Sequence, residues 1–199
     1  MKSVEFIFDF ASPNAYLVLP VLHDIVGRMD ANLTITPCLL GGLFKATNNQ
    51  APMIAFAPVK GKMDYEMLET RRFIAQHQLT KFSMNPNFPV NSIHAIRGLI
   101  AAQNAGVADE YIKAVLSGFW EQGLAMGEQS VIAGVLDAAG LDGAGLMTAT
   151  ANAEVKATLK ANTENAVARG AFGIPTFFVG GEMFFGKERL GQVEEALRA

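Results

Sequence analysis

The chain has one cysteine, Cys38, in 199 residues, so no internal disulfide can form and no dithiol is available for exchange chemistry. That usage fits a reducing compartment, and a cytoplasmic location is expected. Long apolar runs are also lacking: none reaches the roughly 20 residues of a membrane span. The opening stretch is interrupted by Glu5 and Asp9, whereas a secretory signal would be uninterrupted, so no signal peptide is expected. Positive charge is not in excess either. Lys and Arg number 16 against 19 Asp and Glu, giving a net charge of −3. The scattered basic residues form no stripe for nucleic acid or an anionic membrane. His23, His77 and His94 share no ligand spacing, and no carboxylate or thiol cluster completes a metal site. What the chain does have is apolar content, 50% hydrophobic against 18% charged, which supports a packed core.

The alternation of Val4, Phe6, Phe8 and Phe10 predicts a central strand. Ser12-Pro13 then opens a helix, since Ser favours the N-cap and Pro the first helical position. The helix carries Tyr16, Leu17, Leu19, Leu22, Ile25 and Val26 and ends near Gly27, with a bend expected at Pro20. Residues 33–36 form a second strand. This strand–helix–strand order makes a parallel, right-handed unit. Residues 43–61 read as loop, broken by Pro52, Pro58 and Gly61. Helical patterns follow: one over 63–77, one capped by Asn91 or Ser92, one capped by Asp109, one capped by Ser130, and one over about 144–169. The chain closes with a hairpin, Thr176–Val179 and Glu182–Phe185 around Gly180-Gly181, and a helix over 188–198.

The order is βαβ, a long helical block, then ββα. Neither end has enough strands for a core of its own. The fold class is therefore α/β, a thioredoxin-like fold with a large all-helical insertion. Residues 1–42 and 171–199 form the thioredoxin-like domain, and residues 43–170 are the insertion with its preceding loop. Trp120 and Phe119 are expected in the core of the block, Cys38 buried and inert, and Glu194-Glu195 on a solvated helix face.

Two places carry chemistry. Thioredoxin-like oxidoreductases place a Cys-Pro-x-Cys sequence where the first strand meets the first helix; here Ser12-Pro13-Asn14-Ala15 fills those slots. Both sulfurs are missing, and a serine cannot replace an attacking thiolate. What remains is a helix N-terminus with free N–H groups and a positive dipole end, which stabilises an anion. A thiolate brought by a ligand would qualify, with one hydrogen bond from Ser12. Read locally, Ser12 is more simply a plain N-cap, because Ser-Pro starts many helices. The second place is Gly173-Ile174-Pro175-Thr176 at the start of a strand. In thioredoxin-like folds the peptide before this proline is cis and faces the first helix. Either site alone reads as ordinary structure; the pair, in this order, is specific.

These segments, with Leu40-Gly41-Gly42-Leu43-Phe44, Phe88-Pro89-Val90-Asn91, Phe119-Trp120 and Gly186-Lys187-Glu188-Arg189-Leu190, resemble the 2-hydroxychromene-2-carboxylate isomerase family. That family is kin of the kappa-class glutathione transferases, in the DsbA-like branch of the thioredoxin superfamily. The resemblance covers essentially the whole chain. It implies glutathione as cofactor, with Ser12 beside its sulfur and the backbone of Ile174, before Pro175, paired with the cysteinyl part. It implies Lys187 and Glu188 at the γ-glutamyl end, where the family usually has Asp in place of Glu188. Asn49 and Lys62 would reach the glutathione carboxylates. Phe184-Phe185 stands where tryptophans are often found and reshapes the substrate wall.

The activity implied is a cis–trans isomerisation of an aromatic oxo-acid through the glutathione thiolate, as in naphthalene-type catabolism. A small aromatic substrate would lie in an aromatic-lined cleft between sheet and insertion, and a homodimer is expected. Two alternatives stay open: a kappa-type glutathione transferase or peroxidase, and a non-catalytic thioredoxin-like binding module.

Overall fold

A computed structural model describes residues 2–198. In chain order it contains β1 (Ser3–Phe8), α1 (Pro13–Met29), β2 (Asn32–Pro37), α2 (Leu40–Thr47), α3 (Pro52–Ala55), α4 (Lys62–Gln76), α5 (Ile93–Ala105), α6 (Ala108–Trp120), α7 (Gln129–Ala138), α8 (Gly143–Ala149), α9 (Ala153–Ala168), β3 (Thr176–Val179), β4 (Glu182–Phe185), a 3-10 turn (Lys187–Arg189) and α10 (Leu190–Arg198). Among the described residues the strands form one sheet in the order β2-β1-β3-β4. β1 runs parallel to β2, with Phe6 opposite Ile35, and antiparallel to β3, with Phe6 opposite Phe177. This is the thioredoxin-like α/β fold expected from the sequence, with β1 in the interior.

The sheet edge closes as a two-residue hairpin. Gly180 and Gly181 take φ of 56° and 92°, the left-handed values such turns require and glycine adopts without strain. α1 and α10 pack on each other, while α5 and α9 pack against β2.

The core is continuous from the sheet into the helical block. The Phe10 ring lies 4.9 Å from Phe8, 6.1 Å from Phe119 and 6.0 Å from Tyr111. All four are fully buried. Each such side chain contributes about 1.5–3 kcal/mol by leaving water. Trp120, also fully buried, donates its indole N–H to the Phe10 carbonyl at 2.9 Å. The helical block therefore holds the β1–α1 loop directly.

Several helix limits differ from expectation. Residues 43–61 are not all loop: α2 and α3 lie there, and the expected domain change at 42/43 falls inside α2. The first N–H of α2 is held from far along the chain, by the Asp9 carboxylate at 2.7 Å. Gly42 lets α2 approach α9, since a Cβ there would meet Thr163 at 3.1 Å. α1 continues past Gly27 to Met29, where Asp30 closes it in the left-handed conformation. Asp109 and Ser130 are not caps; Val107 and Glu128 hold those positions, without a side-chain bond. Asn91 rather than Ser92 supplies the side-chain bond at the start of α5, accepting from the Ile93 N–H at 3.1 Å. The helix expected over 144–169 is two, because Asn152 starts α9 by accepting from the Glu154 N–H. Glu194 is not simply solvated: it bonds Arg28 at 3.1 Å and Arg198 at 2.9 Å, tying α10 to α1. The Arg28 bond leads in holding its carboxyl below the usual range.

Candidate functional site

Ser12 takes extended backbone angles and accepts the Ala15 N–H at 3.3 Å, as an N-cap does. It is also more than a cap. Its hydroxyl donates to the Ile174 carbonyl at 3.0 Å, across 162 positions of sequence, and its side chain is buried. The Ile174–Pro175 peptide is cis. The two sequence-predicted places therefore meet at the N-terminus of α1. No acidic residue stands in the first turn of α1 to neutralise its positive end.

Asp9 is the member of this corner that sequence reasoning did not single out. It is fully buried and accepts from the Ala11 N–H at 3.0 Å and the Leu40 N–H at 2.7 Å. Burial pushes its carboxyl up, against the pull of those bonds and of Ser92. Its work is to clamp the turn before Ser12 to α2. The signal available in the sequence was a lone acid inside the apolar run Phe8-Asp9-Phe10.

Asn49 lies just beyond α2. Its Nδ2 donates to the Phe172 carbonyl at 2.9 Å, and its Oδ1 accepts from the Gln50 N–H at 2.8 Å. It thus braces the loop that carries Ile174. Phe172 and Phe185, 37% and 40% exposed, touch at 4.5 Å between ring centres beside that loop. They form an apolar surface next to Ile174.

Lys187 and Glu188 follow closely, because Gly186 donates its N–H to the Pro175 carbonyl at 3.0 Å. Lys187 is buried, and its Nζ bonds Glu188 Oε1 at 2.5 Å. Burial raises the Glu188 carboxyl, but the Lys187 bond and charge outweigh it and hold the group below its usual value. Both residues line a cavity of about 410 Å³ bounded by α1, α4 and α10. Arg28, Glu69, Arg72 and Glu194 line it together with Val21, Ile25, Phe73 and Leu190, and Ser12 does not, so its wall mixes charged and apolar groups.

Lys62 stands apart. At the first position of α4 it lies 3.8 Å above the Phe56 ring and has no ion pair among the described residues. The structure thus brings Ser12, Ile174, Pro175, Asn49, Lys187 and Glu188 into one linked region and leaves Lys62 outside its bonds. Cys38 is buried, as expected, and burial with the charges of Asp9 and Glu5 pushes its thiol up to about 12.

The geometry defines a thioredoxin-like protein whose strand-to-helix corner pairs a serine with a cis-proline loop. The sequence profile of the DSBA-like thioredoxin domain matches residues 3–198, and the chain belongs to that family. It is similar to 2-hydroxychromene-2-carboxylate isomerase of Pseudomonas putida, at 26% identity over 98% of this chain and 93% of the relative. It is also similar to human glutathione S-transferase kappa 1, at 27% identity over 95% of this chain and 88% of the relative. A solved 2-hydroxychromene-2-carboxylate isomerase superposes with a TM-score of 0.84 at 26% identity, over 98% of this chain and 94% of that one. No helix among the described residues is long and apolar enough to cross a membrane.

Proposed function

We propose that the chain is a glutathione-dependent isomerase that interconverts cis and trans forms of an aromatic oxo-acid, in the manner its isomerase relatives' name suggests. The observation that carries this reading is the 3.0 Å contact between the Ser12 hydroxyl and the Ile174 carbonyl at the N-terminus of α1. The residues suit glutathione chemically. On glutathione binding the Ser12 Oγ–H turns from the Ile174 carbonyl to a sulfur anion, beside a helix end that favours negative charge. The Ile174 carbonyl is an acceptor for a peptide N–H at the cysteinyl position. Glu188 offers a carboxylate to the γ-glutamyl ammonium, and the mixed charges of the adjoining cavity suit a zwitterion. Asn49 fixes the loop that carries Ile174, and Lys62 answers a carboxylate.

Glutathione supplies a nucleophilic thiol. The protein's own task is to lower that thiol's pKa, hold it at one point and exclude water around the substrate. The exposed Phe172–Phe185 pair gives a flat aromatic acid a surface beside the sulfur position. We place this activity in aromatic catabolism, in a cytoplasmic homodimer. A second reading, kappa-type transferase or peroxidase, is favoured by the similarity to the human kappa enzyme and uses the same corner.

The test is an ultraviolet difference spectrum of glutathione with the protein, titrated with pH. A saturable thiolate band near neutral pH, weakened in Ser12→Ala, supports both readings; turnover of an oxo-acid rather than of electrophiles or hydroperoxides selects the first. An absence of saturable glutathione binding sinks both and leaves a non-catalytic binding module.

A further inference from the structure

Outside the bonds of the Ser12 corner, Arg97 on α5 is unusual. Its Nε is buried without a hydrogen-bond partner, the one such side-chain atom among the described residues. The guanidinium enters no ion pair there either. A charged donor buried without a partner is costly, and native structures rarely leave one so.

Arg97 lines a cavity of about 270 Å³ between α2, α5 and α9. Lys156 and Lys160, one turn apart on α9 and so on one face, line it as well. Against these three cations the cavity has one carboxylate, Glu164, which is already paired with Lys160 at 3.1 Å. Lys156 pairs with no carboxylate among the described residues. The rest of the wall is apolar, with Leu39, Ile93 and Leu159. Thr163 adds no free donor, because its hydroxyl donates to the Leu159 carbonyl and accepts from the Leu39 N–H.

Excess positive charge, a planar fork of N–H groups and apolar walls together specify a ligand class. The fork matches a carboxylate two bonds at a time. The walls favour an organic body over a hydrated inorganic ion. The cavity is at the small end of ligand sites. We propose that this pocket binds a small organic monocarboxylate, its carboxylate on Arg97 and its body against Leu39, Ile93 and Leu159. The pocket shares no lining residue with the corner formed by Ser12, Ile174, Lys187 and Glu188, so it is a second site whatever the first one does.

Calorimetric titration of the full chain with benzoate, and separately with inorganic phosphate, tests this. One benzoate per chain is expected, bound equally with and without saturating glutathione. Phosphate should bind more weakly. Arg97→Met should weaken benzoate by at least about tenfold and leave the melting temperature unchanged or higher, because a buried N–H without a partner is removed. Arg97→Lys keeps the charge and loses the fork, so it too should bind benzoate more weakly, with the fold intact if the Met variant fails to fold. The proposal is overturned if benzoate does not saturate below about 10 mM, if neither Arg97 variant changes its affinity, or if glutathione displaces it. Phosphate binding as tight as benzoate overturns the choice of an organic acid.

Discussion

The corner around Ser12 and the α3–α4 segment are assigned to the same ligand but are held in different ways. In the corner the central groups are fixed by buried or part-buried bonds: Ser12 to Ile174, Asp9 to Ala11 and Leu40, Trp120 to Phe10. In α3 and α4 no residue is fully buried, and Lys62 rests on an aromatic ring. The contrast separates residues that folding fixes in place from residues that folding leaves open to solvent. Precise positioning of a reactive sulfur needs the first kind; capture of a carboxylate is served by the second.

The largest effect that would expose this difference is on stability. Trp120→Ala removes a fully buried indole and leaves the Phe10 carbonyl without its donor, and should cost about 3–5 kcal/mol in denaturant unfolding. Ile54→Ala, on the 59% exposed side chain of α3, should stay within about 0.5 kcal/mol. Equal costs would mean that the α3–α4 segment is as much a part of the core as the corner, and the contrast would be lost.

Ser12→Ala comes next. Loss of a preorganised donor to a developing or resident anion costs about 100-fold in turnover. Loss of an N-cap costs about 1 kcal/mol of stability. Both should be seen together, by steady-state kinetics with glutathione and by thermal unfolding. A stable variant with undiminished turnover would reduce Ser12 to a helix cap. Lys62→Ala should do the reverse. It should raise the KM for glutathione about tenfold, the lower range for a charge-assisted bond, and leave stability within about 0.5 kcal/mol. A fall in stability without a change in KM would show Lys62 to be a packing residue over Phe56.

The same division explains what could be read from the sequence. β1, the Ser12-Pro13 helix start and the Gly-Gly hairpin obey local rules of alternation, capping and turn chemistry; the helix start and hairpin stand where those rules put them, and β1 ends at Phe8, two residues before the alternation does. α2 was hidden because its support is distant. Gly41-Gly42 has poor helix propensity, while Asp9 caps the helix from the end of the neighbouring strand and α9 requires a glycine at 42. Asp109 and Ser130 look like caps but lie inside their first turns, since packing rather than capping sets where α6 and α7 begin. Ser12 and Ile174 were legible as a pair through the order of two motifs, whereas the bracing of Phe172 by Asn49 is a tertiary contact with no local signature. Arg97 was invisible for a related reason. A lone arginine on a helix with apolar neighbours looks like an ordinary solvated charge until the walls around it are known.

The smallest effect lies at the boundary of the two regions, where buried Lys187 meets half-exposed Glu188. The Glu188 carboxyl is held below its ordinary value of 4.5, so the unfolded chain takes up its proton first as pH falls. The pair's contribution is therefore complete above that value and is lost as pH drops through the lower folded-state value. Glu188→Gln keeps an acceptor for Lys187 and removes the charge. At pH 7 it should cost at most about 1 kcal/mol, because the half-exposed Glu188 is screened by solvent. The gap between wild type and variant in thermal unfolding should close towards pH 3. A gap that stays constant through this range would mean that Glu188 acts by shape alone, and the charged rim would then belong to the fixed corner rather than to the open cavity.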